Sequence, residues 1–489
     1  MFNSFRRVPT RLCARNLVTK PSEYGQPTLL SHPHLIRGND LTPGIPASEY
    51  EERRRKLMDL LPEKSVVISV AASVKFMSAN IFYKYRQASD FWYLTGFEEP
   101  DSAVILEKDS SSKGYKMTLF ASGKDLAKEK WDGATTSLAA AKEIFHADET
   151  YSINTFSSQV KSLLPHASNV YVDLPALSTK STRKKPKSFL KYLAGPSSSD
   201  SDDLLDSISS SIRRPLAAQM GKLRAIKSKA EQAVMRSAAD ISGRAHAKTM
   251  RFTRPGQSEA AVAAHFEYLC SLSGSQRLAY VPVVASGANA LILHYTCNNH
   301  IIEQDELILM DAGCEYNGYA SDITRTYPAS GTFSPAQRDL YSAVLSAQKE
   351  LIKLCSAEAV YSLQELHRKS CQLLKEELNQ IGFNLGKEGD LERILYPHYL
   401  SHPIGVDLHE SSHIDRSAPL QDGMVITIEP GIYVPPTANF PKHYHNIGIR
   451  IEDEVLVGEK DPIVLSVSAP KEIEDVEGAC QGILGLEPY

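Results

Sequence analysis

Long apolar runs are missing from this sequence: none approaches the length needed to cross a bilayer, so no helical membrane span is expected. A Cys-x-x-Cys pair is missing too. The seven cysteines are an odd number scattered along 489 residues, which points away from a disulfide framework and toward a reducing compartment. Nor does either charge prevail. A net charge of −4 gives no reason to expect nucleic acid or an anionic membrane as a partner. With 42% hydrophobic and 23% charged residues the composition is that of a soluble globular protein, and the length points to two domains.

Acid is absent from one stretch in particular. The segment MFNSFRRVPTRLCARNLVTKPS carries Arg6, Arg7, Arg11, Arg15 and Lys20, and no acidic residue precedes Glu23. Arg7, Arg11 and Arg15 would share one helical face, with Phe2, Phe5 and Leu12 adding apolar surface and Pro9 interrupting it. That bias is the one a mitochondrial presequence shows; an ordinary disordered basic N-terminus is the alternative. A linker continues to about Pro46, so residues 1–46 are expected to be targeting segment and linker.

From there the pattern is that of an α/β N-terminal domain over residues 47–212. SEYEERRRKLMDLL reads as a helix, with Ser48 and Glu51 at capping-box spacing, and SVVISVAAS and SAVILE read as strands. KSTRKKPKS (180–188) and GPSSSDSDD (195–203) are charge-segregated loops. The link between domains is expected near Arg213 to Pro215. A long amphipathic helix, KSKAEQAVMRSAADISGRAHAKTM, then opens the second domain, residues 213–489.

That second domain is organised around LILMDAGCEYNGYASDITRT (307–326). An apolar run delivers Asp311 into a turn rich in Gly and Asn, and a second segment presents Asp322, so a hairpin with two facing carboxylates is expected. Such a pair repels unless a cation or proton intervenes. The plainer alternative is that Asp311 caps a turn and Asp322 is solvated. Further on, YPHYLSHPIGVDLHE (396–410) sets His398, His402 and His409 in one short segment, and MVITIEPGIY carries Glu429 on a β-branched run. In GIRIEDEVLV, Ile449 and Ile451 alternate with Arg450 and Glu452, placing both charges on one strand face. Charges on apolar strands are costly to bury unless paired or bound to metal, so four carboxylates and a histidine read as a metal centre.

Taken in order, DAG…SDITRT, ILHYT, SHPIGVDLHE, TIEPGIY and GIRIED resemble the aminopeptidase P group of the pita-bread metallopeptidases, and YRQASDFWYLTGFEEPD (85–101) is similar to that group's N-terminal domain. The basic N-terminus is similar to its mitochondrial, intermediate-cleaving branch. The resemblance implies an α/β (α+β) fold, with a smaller N-terminal domain before a pita-bread catalytic domain of two pseudo-related halves. It also implies that Asp311 and Asp322 hold one divalent ion, His402 and Glu429 the other, and that Asp322 and Glu452 bridge them. Oxygen-rich ligation with one imidazole suits Mn²⁺ first, with Co²⁺, Fe²⁺ and Zn²⁺ following. Two such ions cancel four carboxylate charges and can activate water at neutral pH.

The same resemblance gives roles to other residues. Glu429 would be the general base, while His409 and His294 (in ILHYT) would donate hydrogen bonds to substrate and developing oxyanion. His398 and Arg450 would orient the ligands. Trp131 falls where the family has a tryptophan reaching a neighbouring subunit's active site, although by residue type alone it reads as a half-buried packing residue. Cys314 reads as a small filler, Tyr399 stands where a smaller residue is common in the family, and His32, His34, His413, His443 and His445 have no assignment. The expected activity is removal of a single N-terminal residue from imported mitochondrial proteins after presequence cleavage. Peptide and protein N-termini are then the partners, and a homodimer or higher homo-oligomer the assembly. A general Xaa-Pro aminopeptidase or prolidase, or an inactive pita-bread binding module, are the alternatives.

Overall fold

The structure, a computed structural model, describes residues 22–172, 208–386 and 389–485. The acid-free segment 1–21 and the loops 180–188 and 195–203 lie outside the described residues. The chain forms two compact units: Met1–Met58 with Pro62–Arg214, and Asp59–Leu61 with Pro215–Tyr489. Among the described residues no helix is long and apolar enough to cross a membrane.

The first unit is built on a six-stranded sheet. Its spatial order is Arg213–Pro215, Asn169–Val172, Ser65–Val70, Ala103–Lys108, Tyr115–Ala121 and Glu149–Ser152. Ser65–Val70 runs parallel to Asn169–Val172 and antiparallel to Ala103–Lys108. SVVISV and AVILEK are near-continuous apolar runs rather than alternating ones, because both faces of these central strands are covered. On one face Val66, Ile68, Ile105 and Phe120 pack with Phe156 and Val160 of the helix Phe156–Leu163.

The helix Ala47–Leu60 begins before Ser48, so Ser48 lies inside it and the expected capping box is not formed there. Two of its arginines are buried. Arg54 donates from Nη1 to the Leu94 carbonyl at 2.7 Å and from Nε to the Tyr115 hydroxyl at 2.8 Å, and Arg53 reaches the Tyr93 carbonyl at 3.3 Å. Those carbonyls end the short helix Ser89–Thr95, the heart of the SDFWYLTGF motif, where the last turn has no helical donors left. Gly96 closes that helix at φ +67, and a side chain there would strike Leu41 and Tyr50.

The second unit repeats one plan twice. The helices Lys229–Phe252 and Glu259–Leu272 precede a three-stranded antiparallel sheet of Val283–Ser286, Leu307–Asp311 and Thr324–Pro328. The helices Pro335–Lys353 and Leu363–Gln380 precede another, of Val425–Ile428, Asp453–Leu456 and Ile463–Val464. Three of these helices start with reciprocal capping boxes, Ser228 with Glu231, Ser334 with Gln337 and Ser362 with Glu365.

Two expectations need correcting, and both corrections matter for the site. The simple hairpin over 307–326 is two nested ones: Leu307–Asp311 pairs with Thr324–Pro328, with Asp311 opposite Thr324, while 314–320 folds into an inner hairpin that pairs with Arg277–Leu278. Asn317 and Gly318, both at positive φ, make the inner turn, and Gly313 lets the two layers cross. A Cβ on Gly313 would sit 1.8 Å from the Ser321 carbonyl oxygen. The single strand expected for GIRIEDEVLV is likewise broken. Ile447–Arg450 pairs with Gly431–Val434, and Asp453–Leu456 pairs with Val425–Ile428, so Arg450 and Glu452 do not share a strand face. The break lies beside the one at Glu429 and Pro430, where proline has no N–H to continue a ladder; the Ile451 N–H bonds instead to the Pro430 carbonyl at 3.2 Å.

Replacing Arg54 by methionine keeps its length but orphans the Leu94 carbonyl and the Tyr115 hydroxyl. A loss of about 2 to 3 kcal/mol is expected, read as a lower denaturant midpoint for the first unit, with a smaller loss for Tyr115→Phe. Equal midpoints for Arg54→Met and the parent would refute this account of the motif.

Candidate metal centre

The five ligand-type side chains come from chain breaks and turns in the second unit. Asp311 ends the strand Leu307–Asp311, and Asp322 lies in the irregular stretch just before Thr324–Pro328. Glu429 follows Val425–Ile428, its N–H held by the Leu400 carbonyl at 2.9 Å, and Glu452 occupies the strand break. His402 is pinned by a two-way exchange with Thr427: its N–H donates to the Thr427 hydroxyl at 3.1 Å, and its carbonyl accepts the Thr427 N–H at 2.9 Å.

These side chains converge. Ligand atoms of Asp322, His402 and Glu452 lie within 4.8 Å of one another. His402 Nε2 is 3.3 Å from Asp322 Oδ2 and 3.7 Å from Glu429 Oε1. Asp311 is drawn in by Tyr280, whose hydroxyl lies 2.5 Å from Asp311 Oδ1 and 2.6 Å from Asp322 Oδ1. A phenol has one proton to donate, so both contacts are satisfied only if one carboxyl carries a proton of its own. Asp311 fits that part, because burial pushes its carboxyl up against the pull of Arg450.

The electrostatics follow from crowding. Burial, and then the Asp322 charge, push Glu452 well above the carboxylate range, and burial pushes Glu429 up to about 8 against His402 and Arg450. For His402 burial works downward, but the hydrogen bond to Asp322 and the charge of Glu429 prevail and raise it to about 9. Burial would likewise raise Asp322, yet the hydrogen bond and charge of His402 hold it below its ordinary value. Carboxylates so placed are stable only with protons or cations among them. With one imidazole and otherwise oxygen donors, the set fits hard or borderline divalent ions.

Arg450 stands behind the ligands. It donates from Nη2 to Asp311 Oδ2 at 2.7 Å, from Nη1 to the Tyr433 hydroxyl at 2.7 Å, and from Nε to the Thr324 hydroxyl at 3.2 Å. The Thr324 hydroxyl in turn donates to Glu452 at 2.7 Å, so Arg450 and Glu452 meet through a threonine rather than along a strand. His398 Nδ1 is 2.9 Å from the Tyr399 carbonyl and Nε2 is 2.9 Å from the Tyr433 hydroxyl. Burial and Arg450 push His398 down to about 3, so the ring is neutral; its one N–H must be Nδ1, since a carbonyl only accepts. Arg450, Tyr433, His398 and Tyr399 thus form one directed chain.

His409 is exposed, with its ring centroid 4.3 Å from that of His402; enclosure on its inner side and the charge of His402 lower it. His294 is exposed in a turn, near enough that its charge contributes to lowering both His398 and His409. Trp131 belongs to the other unit, on the helix Leu126–Asp132, which buries no residue; at 88% exposure it does not take the half-buried packing role that its type suggests. Cys314 is buried, its N–H shared by the Ser242 and Ser321 hydroxyls. Tyr399 is exposed, with the Arg416 guanidinium 4.7 Å from its ring centroid.

Several contributors had escaped the motifs. Thr324, Thr427 and Tyr433 lie inside quoted motifs, where their neutral side chains drew no attention. Tyr280 lies outside every motif, and no local pattern singles it out. Glu454 accepts the Asp322 N–H at 2.9 Å, and the buried His246 Nε2 meets the Ala312 carbonyl at 2.9 Å, so both fix the backbone beside ligands. The His402 to His409 loop wraps the Glu410 carboxylate, which Arg224 grips at 3.0 and 3.1 Å while also reaching Asp407 at 2.6 Å.

Residues 233–459 match metallopeptidase family M24, and residues 50–171 match the aminopeptidase P N-terminal domain. Intermediate cleaving peptidase 55 of Saccharomyces cerevisiae is 40% identical over 473 residues, covering 96% of this chain and 91% of the relative. Intermediate cleaving peptidase 55, mitochondrial, of Arabidopsis thaliana is 38% identical over 479 residues, covering 97% and 92%. The crystal structure of Icp55 from Saccharomyces cerevisiae with its N-terminal 58 residues deleted aligns with a TM-score of 0.79 at 37% identity, covering 91% of this chain and 100% of that one.

Metal uptake should release protons. Without metal, Glu429 and His402, with folded values near 8 and 9, hold protons at pH 7 that ligation must displace. Affinity should therefore rise with pH through the range in which these two groups lose their protons. Adding a divalent ion to metal-stripped protein in weak buffer at pH 7 should acidify it; binding without acidification would contradict the assignment. Asp322→Asn and Glu452→Gln should fold but retain less metal.

Proposed function

This chain belongs to metallopeptidase family M24, in its aminopeptidase P group, and from that premise we propose that it removes one residue from the N-terminus of imported mitochondrial proteins once their presequences have been cut. It is a metalloaminopeptidase that uses divalent metal ions and acts on peptides and proteins. The observation that carries the reading is the meeting of Asp311, Asp322, His402, Glu429 and Glu452 in one buried cluster fed by both halves of the second unit. We take Mn²⁺ as the ion, because oxygen donors and a single imidazole suit it. Residues 47–212 are read as the N-terminal domain and 213–489 as the catalytic one.

When bound, the two ions supply a nucleophile from water at neutral pH and polarise the scissile carbonyl. The chain supplies the rest. Glu429, which matches the family's candidate general base, would take a proton from the nucleophile and return it to the leaving nitrogen. His409 and His294, both exposed, would donate hydrogen bonds to substrate and developing oxyanion. Arg450 bonds to Asp311 and, like His398, to the Tyr433 hydroxyl; Arg450 would orient its ligand and balance charge, and the neutral His398 would orient through Tyr433. An acidic, metal-filled pocket can hold a protonated or metal-bound α-amine, which suits an exopeptidase.

Location rests on two supports: the acid-free arginine-bearing segment 1–20, and the relative from Arabidopsis thaliana whose name places it in mitochondria. We place the enzyme in the matrix or on the matrix face of the inner membrane, where new N-termini arise. Trp131, exposed on its helix, is available to a second copy of the chain, in keeping with a homodimer or larger assembly.

Peptides beginning Tyr-Ser, Leu-Ser or Phe-Ser should lose one residue and stop, and their N-acetylated forms should be inert. Cleavage confined to Xaa-Pro peptides would make the enzyme a general proline aminopeptidase, and cleavage of acetylated peptides would end the exopeptidase reading. Residues 1–20 fused to a reporter should carry it into mitochondria, and replacing Arg6, Arg7, Arg11 and Arg15 by Gln should leave it in the cytosol.

A further inference from the structure

Glu259 opens the helix Glu259–Leu272 and is fully buried, yet no step above uses it. Five donors converge on its carboxylate. Oε1 accepts the Ser286 N–H and the Ser286 hydroxyl, each at 2.8 Å, and the Asn289 side-chain amide at 3.0 Å. Oε2 accepts the Tyr295 hydroxyl at 2.8 Å and the His300 N–H at 3.0 Å. Hydrogen bonds to an ionised acceptor are stronger than neutral ones, and the helix N-terminus favours the negative charge. Although burial alone would raise it, these donors hold the carboxyl below its ordinary value, so it is an anion at neutral pH.

The donors bracket residues 286–300, the segment that carries His294. Beyond the short turn Gly287–Leu291 this stretch contains no helix or strand, and most of residues 292–300 are exposed. Its buried pegs are Tyr295 and Asn298. Asn298 is tied to Val284 and Pro282, both at 2.8 Å, and Tyr295, the neighbour of His294, is tied to Glu259. An exposed loop of this kind has many conformations of similar energy unless something selects one.

We propose that Glu259 is the positioning residue of His294, its carboxylate gathering the loop so that the imidazole faces the substrate. The proposal rests on the reading of His294 as a substrate hydrogen-bond donor. Glu259 acts at a distance: the path is its carboxylate, the Tyr295 hydroxyl, the Tyr295 backbone and the adjoining His294.

The test is a double-mutant cycle in kcat on metal-loaded full chain, with Leu-Ser and Leu-Pro peptides, and with metal content and thermal midpoint measured alongside. Glu259→Gln puts an NH₂ where a donor expects an oxygen; kcat should fall about 10- to 100-fold with KM and metal content little changed. Tyr295→Phe, which removes the hydroxyl's tether to Glu259 and its 3.3 Å contact with Asn299 but leaves the other four donors on the carboxylate, should show a smaller fall. Both losses should vanish in a His294→Ala background, because a residue acting only through His294 has nothing left to position. Losses that persist there in full, or a Glu259→Gln protein depleted of metal, would overturn the proposal. If His294→Ala by itself leaves kcat intact, the reading of His294 falls first and the proposal with it. Should Glu259→Gln fail to fold, the Tyr295→Phe cycle decides alone.

Discussion

The repulsion among Asp311, Asp322, Glu429 and Glu452 is the constraint to which the second unit is built. Two like charges about 4 Å apart near a protein's surface repel by about 4 kcal/mol, and a domain's whole stability is about 5 to 15 kcal/mol. A few such pairs left uncompensated would consume it. The chain answers with Arg450 on Asp311, Tyr280 between Asp311 and Asp322, and His402 between Asp322 and Glu429. What remains is a demand for positive charge that divalent ions meet.

Holding acids together against that repulsion needs backbone that cannot relax. The candidate ligands lie at the places where regular strands stop: Asp311 at a strand end, Asp322 in the irregular stretch before the next strand, Glu429 beside Pro430, and Glu452 where one strand gives way to another. Each stop is tied down from outside. Glu454 takes the Asp322 N–H, Leu400 takes that of Glu429, and the Thr324 carbonyl takes that of Glu452. The buried Arg325 adds contacts to the Glu452 carbonyl and to Asp453, joining the sheets of the two halves beside the centre.

Loops bearing the exposed histidines follow a second rule. Each is wound about a buried carboxylate, Glu410 for the loop with His409 and Glu259 for that with His294. An exposed side chain cannot be held by its own contacts; the anchoring moves to buried neighbours one residue along. The first unit solves a similar problem with the opposite charge, where Arg53 and Arg54 take up the free carbonyls ending Ser89–Thr95.

How much could be read beforehand depended on whether the information was local. The family, and the acidic and histidine side chains that converge, were legible because metal ligation demands particular side chains, and those stand out as charges on apolar runs. Two pseudo-related halves were expected from the resemblance; that each runs helices first and sheet second came from the structure. The central strands of the first unit were legible from apolar runs, and the long helix after residue 228 from its period. What periodicity could not convey was where a strand changes partner: Ile449 to Ile451 alternates as though continuous, yet the ladder breaks because Pro430 opposite offers no donor and two sheets diverge there. Nor could spacing show that Tyr280 joins two aspartates 31 and 42 residues away, or that Thr324 links Arg450 to Glu452. The sequence by itself determined which chemistry is present, since that lies in residue type; only the tertiary structure decided which groups share protons, because proton sharing depends on distances of about 3 Å between parts of the chain far apart in sequence.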